Sequence, residues 1–351
     1  RYHKLVEDPP HVAIRKAIEQ ANAEIHGRGQ ANLDFHGMGT TSSCLLLTAQ
    51  GAFVAQVGDS RCYRLRGNRL EQLSFDHSLV WELIASGQLR DKEAANAFPK
   101  NIITRSLGPN AQVQVDLEGP FPLEVGDTFL LCSDGLSGQI NDDELAVLLE
   151  CLTPADAVNA LVDVANLRGG PDNITVIVVR VKGSHIAGHG DVELPSTAPA
   201  RGGSDARLWL WTVTGVLAAV AGLLFAVGQW LAGLFPAVAA AVMAAVSWRW
   251  KRGPARTHAG RTGTLGRAPY AASVSQPDSR FVEQLANVYQ QLHEAATAED
   301  WAIDWSRVIG YSRQAAAATQ AAAYAQAVRE YCHAISFMMN ELRAQRKKKS
   351  G

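Results

Sequence analysis

The chain has 351 residues, long enough for one sizeable core with appendages. Its 33 Lys and Arg side chains nearly cancel its 34 Asp and Glu, so charge supplies no argument for a nucleic-acid partner, and none is expected. The five cysteines, Cys44, Cys62, Cys132, Cys151 and Cys332, form no CxxC pair, which argues against a zinc cage and suits a reducing compartment.

Residues 1–182 read as a mixed α/β domain. The run from Val12 to Ile18 opens an amphipathic helix that ends near Gly27. Two strands follow, Ser43–Thr48 and Ala52–Val57, turned at Gln50-Gly51. A second pair, Cys62–Leu65 and Arg69–Leu73, flanks Gly67-Asn68, a hairpin signal. A helix is expected over Leu79–Ser86, then strands at Val113–Leu117, Thr128–Cys132 and Ile174–Val181. Helices fit Asp142–Glu150 and Pro154–Leu167, with Asn141 and Thr153 placed to cap their first turns.

Residues 183–207 are rich in Gly, Pro, Ser and His and read as a flexible linker. Leu208 to Val227 and Trp230 to Trp248 contain no charged residue, and each is long enough for a hydrocarbon layer of about 30 Å. Trp209, Trp211, Trp230, Trp248 and Trp250 stand at the ends of these runs, where amphipathic rings favour an interface. Arg201, Arg207, Arg249, Lys251, Arg252 and Arg256 flank the pair, while the connecting Gly228-Gln229 is uncharged. The expectation is a transmembrane hairpin over 208–248 in a multi-pass protein of the cell membrane, with both flanks cytoplasmic. The alternative is a buried helical hairpin. After a basic linker, 249–278, the region 279–351 is helical. Phe281, Leu285, Val288, Tyr289 and Leu292 mark one apolar face. Ala317, Ala321, Tyr324, Val328, Tyr331, Ile335, Met338 and Leu342 mark another at coiled-coil spacing. Two readings stay open for that stripe, packing of the helices on each other and self-association. The basic run Arg346 to Lys349 reads as a solvated tail.

Three short motifs stand at the ends of apolar strands: VGDSR (Val57 to Arg61), LLCSDGL (Leu130 to Leu136) and GGPDN (Gly169 to Asn173). Taken singly, each is a turn, because Asp, Gly and Asn are turn formers. Together they place Asp59, Asp134 and Asp172 where strands meet loops. Carboxylates gathered at one end of a sheet repel one another unless a cation sits between them. Hard divalent ions such as Mg²⁺ and Mn²⁺ favour such oxygen ligands. Gly135, lacking a Cβ, is expected to let backbone or water approach the ion, and Pro171 to stiffen the approach to Asp172.

In these motifs and their order the chain resembles bacterial members of the PPM family of metal-dependent protein phosphatases, the PP2C-like phosphatases. The matching stretches are GMGTT, VGDSRCYRLRGNRLEQLSFDHSL, ITRSLG, GDTFLLCSDGLS and GGPDNITVIVV, together covering about residues 10–182. The resemblance implies an α+β fold, a sandwich of two antiparallel sheets flanked by helices, here followed by the two membrane helices and the helical C-terminal region. It implies hydrolysis of phosphoserine and phosphothreonine in proteins, with two or three Mn²⁺ or Mg²⁺ ions. It makes Asp134 and Asp172 ligands of the metal pair, and Asp59 a ligand of an additional metal. Gly135 and Asn173 shape the site, and Leu79 to Asn101 matches a mobile flap. No side chain is the nucleophile; water on the metals takes that role. The implied partners are phosphorylated proteins, with membrane-bound kinases and their substrates expected from the tether.

The stretch FHGMGTT resembles the family's G-x-G-[ST]-T turn, which leads into a strand shortly before VGDSR, so His36 is a loop residue. The family's other such turn, Asp-Gly-Met-Gly-Gly, whose Asp bridges both metals, and an earlier phosphate-holding Arg are not among these residues. Both are expected upstream of Arg1, in an N-terminally truncated sequence, and the chain as written, lacking the bridging carboxylate, is expected to be a poor catalyst. A second reading is a pseudophosphatase, an interaction module without turnover; retention of Asp59, Asp134 and Asp172 argues against it.

Overall fold

The computed structural model describes residues 8–89, 102–183 and 265–350. These belong to one compact unit, formed by Arg1–Val192 with Thr264–Gly351. In chain order its elements are α1 (Pro10–Ala31), β1 (Ser42–Thr48), β2 (Gly51–Val57), β3 (Arg61–Arg66), β4 (Arg69–Gln72) and α2 (Leu79–Ala85). Then come β5 (Asp116–Phe121), β6 (Thr128–Cys132), the one-turn α3 (Asp134–Ser137), α4 (Asp142–Cys151), α5 (Pro154–Leu167) and β7 (Val176–Arg180). The last group is β8 (Ala271–Val274), α6 (Ser279–Ala298), α7 (Trp305–Gln320) and α8 (Tyr324–Ser350).

The strands form two antiparallel sheets, one ordered β1-β2-β5 and the other β7-β6-β3-β4-β8. Side-chain alternation decides which face each sheet buries. Ala52 and Val54 of β2 meet Cys62 of β3 and Phe129 of β6 between the sheets, together with Leu73, Leu123 and Val181. The opposite face of β2, Ala55 and Val57, packs with Leu117 of β5 against Ile14 and Ile18 of α1. On the other side Tyr63, Leu65, Leu70, Leu130 and Cys132 point away from the sandwich into a helical layer. The two helices expected beneath that face form as capped units. Asn141 accepts from the Glu144 N–H at 3.0 Å while the Glu144 carboxylate accepts from the Asn141 N–H at 3.1 Å, a reciprocal box. The Thr153 hydroxyl caps α5, and Pro154 occupies its first turn, where no N–H is needed.

Three expectations change. The alternating stretch Val113–Leu117 does not itself form the strand; β5 begins at Asp116 and runs to Phe121. Val113 and Val115 lie against the α1 core instead, so the alternation reports burial and not pairing. The stretch Ala271–Val274, expected within a linker, is a strand paired along β4, with Leu70 opposite Ser273 and Gln72 opposite Ala271. The long C-terminal stripe belongs to two helices and not one. Ala322 has a left-handed φ of 53° that ends α7, and the chain folds back. The start of α7 then meets the end of α8, where the Gln345 amide donates to the Ala302 carbonyl at 2.9 Å and accepts from its N–H at 3.2 Å. Val328, Ile335 and Met338 are buried within the chain, sharing one core with Leu145, Leu148 and Leu161 of α4 and α5.

The two transmembrane helices and the multi-pass membrane location are corrected. No helix among the described residues is long and apolar enough to cross a membrane. The runs 208–227 and 230–248 themselves lie outside the described residues, as does the linker 184–207.

Candidate metal centre

The first of the three aspartates follows β2 directly. Gly58 turns the chain there with φ 113°, and a Cβ on it would collide with the Thr41 side chain. Asp59 is thereby carried inward and is 8% exposed. Burial raises its carboxyl above the usual range, and the charge of Asp134 adds to this, with a smaller push from Asp172. Arg61 and a backbone hydrogen bond oppose the rise.

Asp134 and Asp172 lie on two loops stitched to each other. The Ser133 N–H donates to the Thr175 carbonyl at 3.1 Å. The Ser133 hydroxyl donates to the Asn173 carbonyl at 3.1 Å and accepts from the Thr175 N–H at 3.0 Å. Each carboxylate also accepts from the next residue's N–H, Gly135 at 2.9 Å and Asn173 at 2.7 Å. Both side chains are exposed. A Cβ on Gly135 would lie 2.5 Å from the Asn173 carbonyl oxygen, so glycine is needed for the two loops to meet. His36 is an exposed loop residue following a short 3-10 turn, Leu33–Phe35.

Three carboxylates from separate strand ends thus share one field, each with oxygen donors of the kind hard divalent ions take. The donors fit hard divalent ions by type. Among the described residues no three His, Cys, Asp or Glu side chains stand close enough to ligate a single ion, so the carboxylates share a field without converging on one point.

Beneath Asp59 lies a layer that sequence reasoning did not single out. His77, fully buried, accepts from the Gly58 N–H through Nδ1 at 2.9 Å. Its own N–H donates to the Gly58 carbonyl, also at 2.9 Å. Because Nδ1 accepts, Nε2 carries the hydrogen and donates to Asp116 Oδ2 at 2.9 Å. Arg105 Nη1 holds the other oxygen of Asp116 at 2.7 Å. The Gln56 amide donates to the carbonyls of Gly58 at 3.0 Å and Ser60 at 2.6 Å. Next to the turn, Arg61 donates through Nε to Asp76 at 2.7 Å and through Nη1 to the Tyr63 hydroxyl at 3.0 Å. That hydroxyl in turn donates to Asp142 at 2.9 Å, and the guanidinium lies 5.7 Å from the Trp81 ring centre. Burial pushes Asp76 up to about 6, against the pull of Arg61. The only local signal for this layer is FDHSL, a polar run between an apolar strand and an apolar helix. Of the expected flap, Leu79–Ala85 is helix α2, and 90–101 lies outside the described residues.

A family model described as Protein phosphatase 2C matches residues 5–80. The serine/threonine phosphatase stp of Listeria monocytogenes is 39% identical over 167 residues, 47% of this chain and 66% of its own length. A solved structure of the S. agalactiae serine/threonine phosphatase is 40% identical, with 48% of this chain and 70% of that one covered and a TM-score of 0.45. The catalytic domain of the serine/threonine phosphatase PstP, solved in complex with two manganese ions, is 30% identical, with 52% of this chain and 77% of that one covered and a TM-score of 0.45. Over about half of its length the chain is thus similar to PP2C-like bacterial serine/threonine phosphatases. It spans 66% of the length of the Listeria relative.

Proposed function

We propose that this chain carries the site of a divalent-metal-dependent protein serine/threonine phosphatase. In this reading Asp134 and Asp172 are ligands of the metal pair and Asp59 is the ligand of an additional ion, two or three Mn²⁺ or Mg²⁺ ions in all. One observation carries it: Ser133 ties the loops of Asp134 and Asp172 together through three hydrogen bonds of 3.0–3.1 Å, which brings two exposed carboxylates to one end of the sheet. Such ions, when bound, neutralise charge on a phosphoryl group and make water acidic enough to attack it near neutral pH.

The residues divide the remaining work. Asp134 and Asp172 are open to solvent, where a phosphate borne on a protein can reach them. Asp59, by contrast, is buried. The cysteines nearest this end of the sheet do not compete as nucleophiles. Cys62 and Cys132 are buried, and burial pushes the Cys132 thiol up to about 12, so neither is a thiolate near neutral pH.

The test is hydrolysis of a phosphothreonine peptide with Mn²⁺ by the full-length protein and by its Asp134→Asn variant. Loss of turnover in the variant supports the reading, and unchanged turnover sinks it.

A further inference from the structure

The Asp59 carboxylate is placed by a turn whose peptide groups have almost no freedom. Gly58 is held on both sides by one residue: the His77 ring accepts its N–H, and the His77 backbone N–H donates to its carbonyl. The imidazole is in turn oriented by Asp116, and Asp116 by Arg105. The chain from Arg105 to Gly58 therefore runs through three hydrogen bonds of 2.7–2.9 Å and ends one residue before the carboxylate. Every member sits on a different part of the fold. Gly58 follows β2, His77 precedes α2, Asp116 opens β5, and Arg105 lies on the loop before it.

We propose that His77 is a positioning residue for the metal centre: its ring, oriented by Asp116 and Arg105, sets the Gly58 peptide and so the direction in which Asp59 is presented. This rests on the metal-centre reading above. A ligand aimed by such a partner loses affinity when the partner is removed, because the carboxylate must then be ordered at the moment of binding. Gly58 makes the coupling necessary. Without a side chain, and at a φ of 113°, it has wide conformational freedom of its own, so its conformation is imposed by what holds its N–H and carbonyl.

The experiment titrates the full chain with Mn²⁺ alone, by calorimetry, and compares it with Asp59→Asn, His77→Leu and His77→Asn. Asn at this position offers an oxygen near where Nδ1 stood and can still accept from Gly58; Leu fills the space but accepts nothing. The expected result is a loss of about tenfold in Mn²⁺ affinity for His77→Leu and a markedly smaller loss for His77→Asn. Melting temperatures without metal serve as the control. A residue that merely fills a buried space predicts that the apolar variant binds at least as well as Asn. Equal affinities, or tighter binding by His77→Leu, overturn the proposal while leaving the metal centre intact. No Mn²⁺ binding by the native chain, or binding that Asp59→Asn does not weaken, removes the metal-centre reading and the proposal with it. If His77→Leu does not fold, the near-isosteric Asp116→Asn takes its place: weakened Mn²⁺ binding supports the proposal, and unchanged binding overturns it.

Discussion

Glu118 and Tyr270, 152 residues apart in the chain, share a hydrogen bond of 2.5 Å that joins β5 to the segment leading into β8. The same carboxylate accepts from the N–H groups of Arg267 at 2.8 Å and Ala268 at 3.0 Å. A Cβ on Gly266 would overlap this carboxylate, so the segment can wrap it only with glycine there. Tyr270 also lies edge-on to Phe75, with ring centres 5.3 Å apart, and its N–H donates to the Gln72 carbonyl. The clasp thus reaches the rear of the loop that carries Asp76 and His77.

The clasp gives stability a pH dependence of definite sign. Burial pushes Glu118 up to about 7, with the charge of Asp116 adding and its three donors opposing. Arg267 faces it through Tyr270, while Arg105 and His77 face it through their bonds to Asp116. A carboxyl whose folded pKa exceeds its unfolded value favours folding while protonated. That contribution is fully present below about 4.5 and is lost as pH rises through about 7. The melting temperature is expected to fall by about 5 °C between these limits. Glu118→Gln, which can donate to a reversed Tyr270 hydroxyl, should flatten the fall. Thermal melts across pH on the two proteins decide it.

Gly135→Ala should separate the loops of Asp134 and Asp172. The new methyl would lie 2.5 Å from the Asn173 carbonyl oxygen and 3.1 Å from its carbon, and both belong to the backbone. A loss of about 1–3 kcal/mol is expected, of the size seen for overpacking. Turnover should fall more steeply than stability, because two proposed ligands move apart. Denaturant melts beside activity at a temperature where the variant is folded would show the two effects separately.

Arg343 of α8 donates to Asp163 of α5, a fully buried carboxylate whose pKa burial raises. Arg343→Ala leaves that charge without its cation. A loss of about 2–3 kcal/mol is expected, below the range for a wholly buried pair because Arg343 is 44% exposed. Asp163→Asn should cost much less, since no charge is stranded. Urea melts of both variants test this, and equal losses would mean the pair contributes by packing alone.

Arg61→Met removes the one cation that hydrogen-bonds Asp76 among the described residues; Asp76 is 2% exposed. A loss of about 3 kcal/mol is expected at pH 8. It should shrink at pH 5, where Asp76, already pushed up to about 6, is largely protonated. A loss equal at both pH values would exclude the charge as its cause.

Much of the scaffold was legible before the structure. The pairs β1–β2 and β3–β4 were readable because hairpins are local: Gly51 directly follows the first turn, and Gly67-Asn68 forms the second. The two caps were readable because a cap is a short-range bond from a side chain to the next turn. The membrane expectation came from composition alone, and composition does not show that a helix forms or where it lies. β8 was not legible. Ala-Ala-Ser-Val carries little β-propensity, and its partner β4 lies some 200 residues earlier in the chain. Of the site, the three aspartates stood out by type and by their place after apolar strands. His77, Asp116 and Arg105 did not, since nothing local to any of them points to Gly58.

By itself, then, the sequence determined the β1–β2 and β3–β4 hairpins, the strand β6, where α4 and α5 start, and which three acids stand at strand ends. These follow from period, cap and turn chemistry within a few residues. The tertiary structure alone decided that Glu118 is wrapped by residues 266–270 and that α8 covers α4 and α5. It alone decided that the stripe through Val328 and Ile335 faces inward, and that His77 grips Gly58. A side-chain period reports which way a residue points. What it meets there depends on pairing between distant segments, which forms only when the whole core closes around it.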